Sequence, residues 1–220
     1  MRFLPLLSSL ADPGPWPAEA ELRWEGGLHP GWRHPRRAVH ALHLQPGPLG
    51  PPMLTQAGEA LRQGLGADFL VIPVGPLGDR AAGFALLGLL ETLLEAVQGR
   101  LKLALSVDPQ ALPEALALLR QARAEAVGIC WTGGDPEPLA DRLWCAVAEE
   151  GVDPAPLQRL GYRWNLALPA SDPVRYTDRL EALRRSHPEV LFPSEMPATA
   201  LGRPIVPDDS VRFGAGWGQP

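Results

Sequence analysis

Apolar residues along this chain fall into short blocks at fairly even intervals. Blocks of strand length run over Arg2 to Leu7, Ala38 to Leu44, Phe69 to Val74, Leu101 to Val107, Val127 to Trp131, Arg163 to Leu168 and Val190 to Phe192, with a weaker one at Glu19 to Trp24. In several blocks both alternating faces are apolar, as in Leu101, Leu103, Ala104, Leu105 and Val107. That pattern suits parallel strands covered on both sides better than a half-exposed sheet.

Between the later blocks the period changes to that of a helix. Helices are predicted over Leu54 to Leu65, Ala81 to Val97, Pro109 to Ala124, Pro136 to Glu149 and Pro173 to Arg185. Leu86, Leu87, Leu90, Leu93, Leu94 and Val97, for example, form a stripe able to cover a sheet. The pair Asp-Pro recurs at Asp12, Asp108, Asp135, Asp153 and Asp172, and four of these follow a strand block. An Asp carboxylate accepts the orphan amides of a first helical turn, and Pro has no amide hydrogen to lose there. Strand, Asp-Pro and helix together make one βα unit.

Repeated βα units imply parallel strands with right-handed crossovers, and eight such strands close into a barrel. The expected fold is α/β, a compact and slightly degenerate (β/α)8 TIM barrel. Its helices are missing or irregular in the N-terminal third, where Glu25 to Arg37 is rich in Pro, Gly and His and has no helical period. An open sheet of about six strands with an N-terminal appendage is the alternative. One barrel domain is expected over residues 1–197, followed by a Pro/Gly-rich tail over 198–220 that packs over a barrel end or docks on a neighbouring subunit.

Composition narrows the function classes. A chain of 220 residues with 45% hydrophobic content builds one sizeable core. A net charge of -5 gives no footprint for nucleic acid, apart from the small cluster Arg33, Arg36 and Arg37. That cluster reads as a solvated loop, with a phosphate site as the sharper alternative. The abundance of Arg, 26 Pro and 23 Gly gives a thermophile-like composition. Cys130 and Cys145, one in a strand block and one in a helical stretch, are expected to be buried, reduced thiols. The apolar run Phe3 to Leu10 only faintly imitates a secretion signal, being short, interrupted by Pro5 and followed by Asp12-Pro13, so a cytoplasmic protein with no membrane contact is expected.

Three segments carry a resemblance: Ala67-Asp68-Phe69-Leu70-Val71-Ile72-Pro73-Val74-Gly75, Leu101-Lys102-Leu103-Ala104-Leu105 and Val127-Gly128-Ile129-Cys130-Trp131. In cadence they resemble the barrels of the xylose isomerase-like superfamily, which includes sugar-phosphate isomerases, epimerases and endonuclease IV type enzymes. The resemblance implies a divalent metal held by Glu, Asp and His at the strand ends, beside an acid or base for proton transfer. The residues match that pattern poorly. Pro73-Val74-Gly75 stands where the family often has His-Pro-Gly, Ser106 replaces a Glu, Thr132-Gly133-Gly134-Asp135 replaces Asp-Thr-Gly-His, and Asn165 stands where a His is expected.

No metal or other cofactor is therefore expected, and Glu195, Asp135, His43 and Glu21 are the least implausible ligands if one binds. Glu195, taken as the acid ending the eighth strand, and His43, near the end of the third, are the candidate catalytic residues. His40 and His43 are three apart and point to opposite faces of a regular strand. Trp24, Trp131 and Trp164 near strand ends, with Asn165 and Asp135, are the candidate ligand-binding residues, although Asp135 also reads as a helix cap. The expected function is binding of a small sugar-like ligand or a partner by a barrel whose metal site has degraded. The alternative is an active sugar or sugar-phosphate isomerase or epimerase using Glu195 as acid or base.

Overall fold

The structure is a computed structural model that describes residues 1–63, 65–122 and 124–186. Eight strands pair in chain order, all parallel: β1 (Arg2–Ser8), β2 (Glu19–Arg23), β3 (Ala38–His43), β4 (Phe69–Val74), β5 (Lys102–Val107), β6 (Val127–Trp131), β7 (Leu143–Val147) and β8 (Asn165–Pro169). β8 returns to β1 through pairs such as Phe3 with Leu166, and the barrel closes. The open-sheet alternative is thereby excluded. The run that faintly imitated a secretion signal supplies β1.

Among the described residues, five α-helices cover the outside: α1 (Pro51–Arg62), α2 (Arg80–Val97), α3 (Leu112–Gln121), α4 (Ala155–Arg159) and α5 (Pro173–Ser186). None lies between β1 and β2, and a single 3-10 turn, Pro30–Arg33, lies between β2 and β3. The first two crossovers thus lack covering α-helices, as their Pro- and Gly-rich sequence implies. Leu86, Leu89, Leu90 and Leu93 of α2 are buried, in one core with Leu70 and Ile72 of β4 and Leu103 and Leu105 of β5. Each such side chain stabilises the fold by roughly 1.5–3 kcal/mol when fully buried.

The helix expected over Pro136 to Glu149 does not form. A 3-10 turn at Glu137–Leu139 is followed by strand β7. Leu139, Leu143 and Val147 are spaced by four, which fits a helix. The block Leu143-Trp144-Cys145-Ala146-Val147 also fits a buried strand, and barrel closure decides between them. The strand count moves accordingly. Arg163 to Leu168, read as the seventh strand, supplies the eighth, and the block Val190 to Phe192 lies outside the described residues, as does the segment 198–220.

All five Asp-Pro pairs share one local geometry. Asp12, Asp108, Asp135, Asp153 and Asp172 each accept, through a carboxylate oxygen, the amide of the residue two ahead, at 2.9, 2.8, 3.1, 2.9 and 2.7 Å. Asp172 also accepts from Arg175 at 3.1 Å and so caps α5 directly. Asp108 instead fixes a turn ahead of α3, whose own cap position is Ala111.

Two bulges reset which side chains face inward. Between β2 and β3 the pairs run Ala20 with Val39 and then Leu22 with Leu42, so β3 carries one extra residue. Between β6 and β7, Ile129 pairs with Leu143 and then Cys130 with Cys145, which leaves Trp144 extra. The ladders also differ in length. Six residue pairs join β4 to β5, whereas two, Ala146 with Leu166 and Val147 with Ala167, join β7 to β8. Across that thin junction Arg179 of α5 donates to the carbonyls of Ala148 at 2.6 Å, Glu149 at 2.5 Å and Pro169 at 3.5 Å.

Candidate functional site

Strand alternation decides what fills the barrel. Leu6, Ala41, Phe69, Val71, Ala104, Cys130, Cys145, Val147 and Ala167 form the inner apolar cluster, with at least one residue from every strand except β2. On β2 the apolar residues Ala20 and Leu22 join the outer core, followed by Trp24 just past the strand. Glu19, Glu21 and Arg23 therefore face inward. Most of the other inward residues are small, and the charged side chains of β2 take the remaining space.

Glu21 and His43 meet inside the barrel. His43 Nε2 donates to Glu21 Oε2 at 2.7 Å, and the two residues are 7% and 1% exposed. With Nε2 committed to the carboxylate, Nδ1 is the nitrogen whose lone pair can take up a proton. One layer nearer the C-terminal mouth, Arg23 of β2 faces Glu149, just past β7, at 3.6 Å, and Ser8 Oγ donates to Glu25 at 2.5 Å. The mouth is polar, and a buried carboxylate–imidazole pair lies beneath it.

Cys130 and Cys145 are register partners on adjacent strands, both buried with free thiols, so Cys145 belongs to a strand and not to a helix. Burial, then hydrogen bonding and charge from Cys130, then the charge of Glu21 push the Cys145 thiol well above its ordinary value. It stays protonated and is a poor nucleophile. Tyr162 is raised in the same way, first by burial, and its hydroxyl donates to the Asn165 carbonyl at 2.7 Å.

The opposite end of the barrel holds a belt of alternating charge. Arg2 pairs with Glu19, His40 Nε2 donates to Glu19 at 2.8 Å, His40 Nδ1 lies 3.5 Å from Asp68, and Lys102 stands over the Trp144 ring at 5.8 Å. His40 and His43 both bond to inward carboxylates of β2, so they share one face of the sheet. The extra residue in β3 corrects the expectation that they oppose each other.

The belt makes stability depend on pH. Hydrogen bonding to Asp68 leads in holding His40 above its ordinary 6.5, against burial and with help from Glu19. Burial raises Glu19, but the bonds from Arg2 and His40 outweigh it and hold Glu19 below its ordinary 4.5. The His40 contribution is complete below 6.5 and is lost as pH rises through the higher folded value. The Glu19 contribution is complete above 4.5 and is lost as pH falls through the lower folded value. Both are complete between those two ordinary values. Urea unfolding at pH 5.5 and 8.5 is expected to show the wild type weakening at the higher pH, and His40→Gln losing most of that difference.

The remaining candidate residues are scattered. Trp24 and Trp131 are each 1% exposed in the outer core, where they pack and have no face free for a sugar ring. Trp164 immediately precedes β8 and Asn165 opens it, so both lie at the N-terminal end and not at the mouth. Asp135 is exposed and accepts the Glu137 amide in a local turn, but the helix it was expected to cap does not form, and the cap position of the 3-10 turn there is Pro136. Glu195 lies outside the described residues, and the strand end it was assigned to belongs to Pro169. Glu21 carried little signal, because an acidic residue in a weak strand looks solvent-facing.

A divalent metal is implied by the resemblance, and the described residues do not fit one. Glu21 and His43 offer two donors, and among the described residues no group of three His, Cys, Asp or Glu side chains is arranged to hold an ion. Nor is any helix among them long and apolar enough to cross a membrane.

No protein-family model matches the sequence, and no curated protein matches it. Among solved structures, the crystal structure of a xylose isomerase domain protein from Planctomyces limnophilus is similar, with a TM-score of 0.55 and 12% identity. The match covers 84% of this chain and 97% of that one. Together with the closed ring of eight parallel strands, it shows that this chain has the fold of a xylose isomerase-like TIM barrel.

Proposed function

We propose that the barrel binds a small sugar-like ligand at its C-terminal mouth and that His43, oriented by Glu21, exchanges a proton with it at a carbon next to a carbonyl. The buried His43–Glu21 hydrogen bond of 2.7 Å carries this reading. In water such a pair would be worth little, but inside a barrel the carboxylate fixes the tautomer and stabilises the imidazolium that forms. The mouth of a TIM barrel is where ligands of this fold bind, and Ser8, Arg23, Glu25 and Glu149 supply polar groups there. Glu195 remains in the proposal as a second acid.

Proton exchange into ketoses and aldoses in heavy water, followed by NMR, tests the reading. The wild type is expected to label the carbon beside the carbonyl. His43→Gln, whose amide nitrogen reaches the position of Nε2 and so keeps a donor for Glu21, is expected to slow labelling by about 100-fold or more, within the usual range for a general base. Glu195→Gln tests the second acid by the same assay. Saturable sugar binding without labelling would remove proton transfer and leave a binding protein.

A further inference from the structure

A second polar cleft lies at the other end of the barrel, away from the mouth. Its volume is about 270 Å³, and its lining includes Trp32, Arg33, His34, Arg37, Gln63 and Leu65. Val39 near the start of β3 and Gly66 just before β4 also line it, which places it on the N-terminal face.

The cleft is cationic. Among the described residues, no carboxylate lies within ion-pair distance of Arg33, Arg36, Arg37 or His34, although the chain as a whole carries a net charge of -5. The two lining guanidinium groups bind neutral oxygens. Arg33 Nη2 donates to Gln63 Oε1 at 2.5 Å, and Arg37 Nη1 donates to the carbonyls of Trp16 at 2.9 Å and Pro17 at 2.7 Å. Such bonds fix a guanidinium in place while leaving its full charge and its remaining N–H groups available.

The loop that carries these residues is pinned. The Trp32 indole donates to the Ala11 carbonyl at 3.0 Å, and Arg37 lies over that ring at 5.9 Å. His29 Nδ1 accepts the Gly31 amide at 3.2 Å, and a side chain at Gly31 would meet Pro13 Cγ at 2.7 Å. A pre-ordered pair of guanidinium groups lowers the cost of ordering when an anion binds.

We propose that this cleft is a binding site for a small organic phosphate, with Arg33 and Arg37 holding the phosphate group and Gln63 and His34 beside its body. The planar guanidinium fork matches phosphate oxygens. The cleft is also larger than inorganic phosphate alone requires. An isolated patch on an acidic chain is too small a footprint for nucleic acid, whose affinity grows with the number of phosphates contacted.

Isothermal titration calorimetry at constant ionic strength tests this with inorganic phosphate, glucose 6-phosphate and, as the neutral control, glucose. One saturable site for both phosphates is expected, with glucose 6-phosphate the tighter. Arg33→Gln is expected to weaken both by about tenfold or more, from loss of a charge-assisted contact, and Arg33→Lys by less. Arg33 is exposed and holds only Gln63, so its circular dichroism should match the wild type. Absence of saturable binding overturns the proposal, as does unchanged affinity in Arg33→Gln. Loss of binding in Glu21→Gln would place the phosphate in the mouth and overturn it too. A single-stranded oligonucleotide binding more tightly than either small phosphate would overturn the small-molecule assignment.

Discussion

Replacing His43 with alanine is expected to destabilise the protein by about 3–5 kcal/mol, the usual cost of stripping a buried charge of its partner. Glu21 is 1% exposed, and among the described residues His43 alone bonds its carboxylate. Its carboxylate would be left with neither water nor a donor. Urea unfolding of His43→Ala measures the loss directly. The double variant Glu21→Leu/His43→Leu separates charge from packing, because replacing both partners by apolar side chains is often neutral or better. If His43→Ala lost less than about 1 kcal/mol, the value of an exposed pair, the pair would not be buried as described. The same result would weaken the catalytic proposal, which needs a dry imidazole.

The second large effect is expected at Gly128. A Cβ there would lie 2.1 Å from Cδ2 of Trp144, a ring held at the bulge in β7 and beneath the Lys102 ammonium. A large ring on a strand cannot swing aside as the end of a flexible chain can. Gly128→Ala should therefore reach the upper end of overpacking costs, about 3 kcal/mol, and lower the melting temperature by roughly 6–12 °C. Trp144→Leu should remove most of that penalty in the double variant, a coupling read from the four melting temperatures of the cycle. If the two substitutions simply added, the ring would not be what fills the space above Gly128.

The architecture was legible because parallel strands buried on both faces leave continuous apolar blocks. Phe69–Val74 and Val127–Trp131 were readable as they stand. The Asp-Pro pairs were equally readable, since Asx turns are local. What the sequence hid depended on pairing across strands. Leu143–Val147 satisfies two periods at once, and only its place between β6 and β8 selects the strand. Strand β2 looked weak because Glu19, Glu21 and Arg23 alternate with apolar residues, the pattern of a strand with one wet face. In a barrel that polar face turns inward.

The site was half visible for the same reason. Glu21 and His43 were both candidate ligands, but their meeting depends on the extra residue in β3, which shifts His43 onto the face of Glu21. No single-chain pattern reports a bulge. The Trp residues misled in the opposite direction, since position at a strand end says nothing about which side of the wall a ring takes. Trp24 and Trp131 take the outer side.

The two-pair junction between β7 and β8 makes the ring uneven under load. Six pairs hold β4 to β5, so a force or fluctuation that opens the cylinder meets least resistance three strands from the buried pair, where Arg179 spans the ends of both strands. Arg179 thus acts as a clasp made of side-chain donors where backbone donors are few. The barrel is a hoop whose shortest seam is fastened from outside by the last described helix.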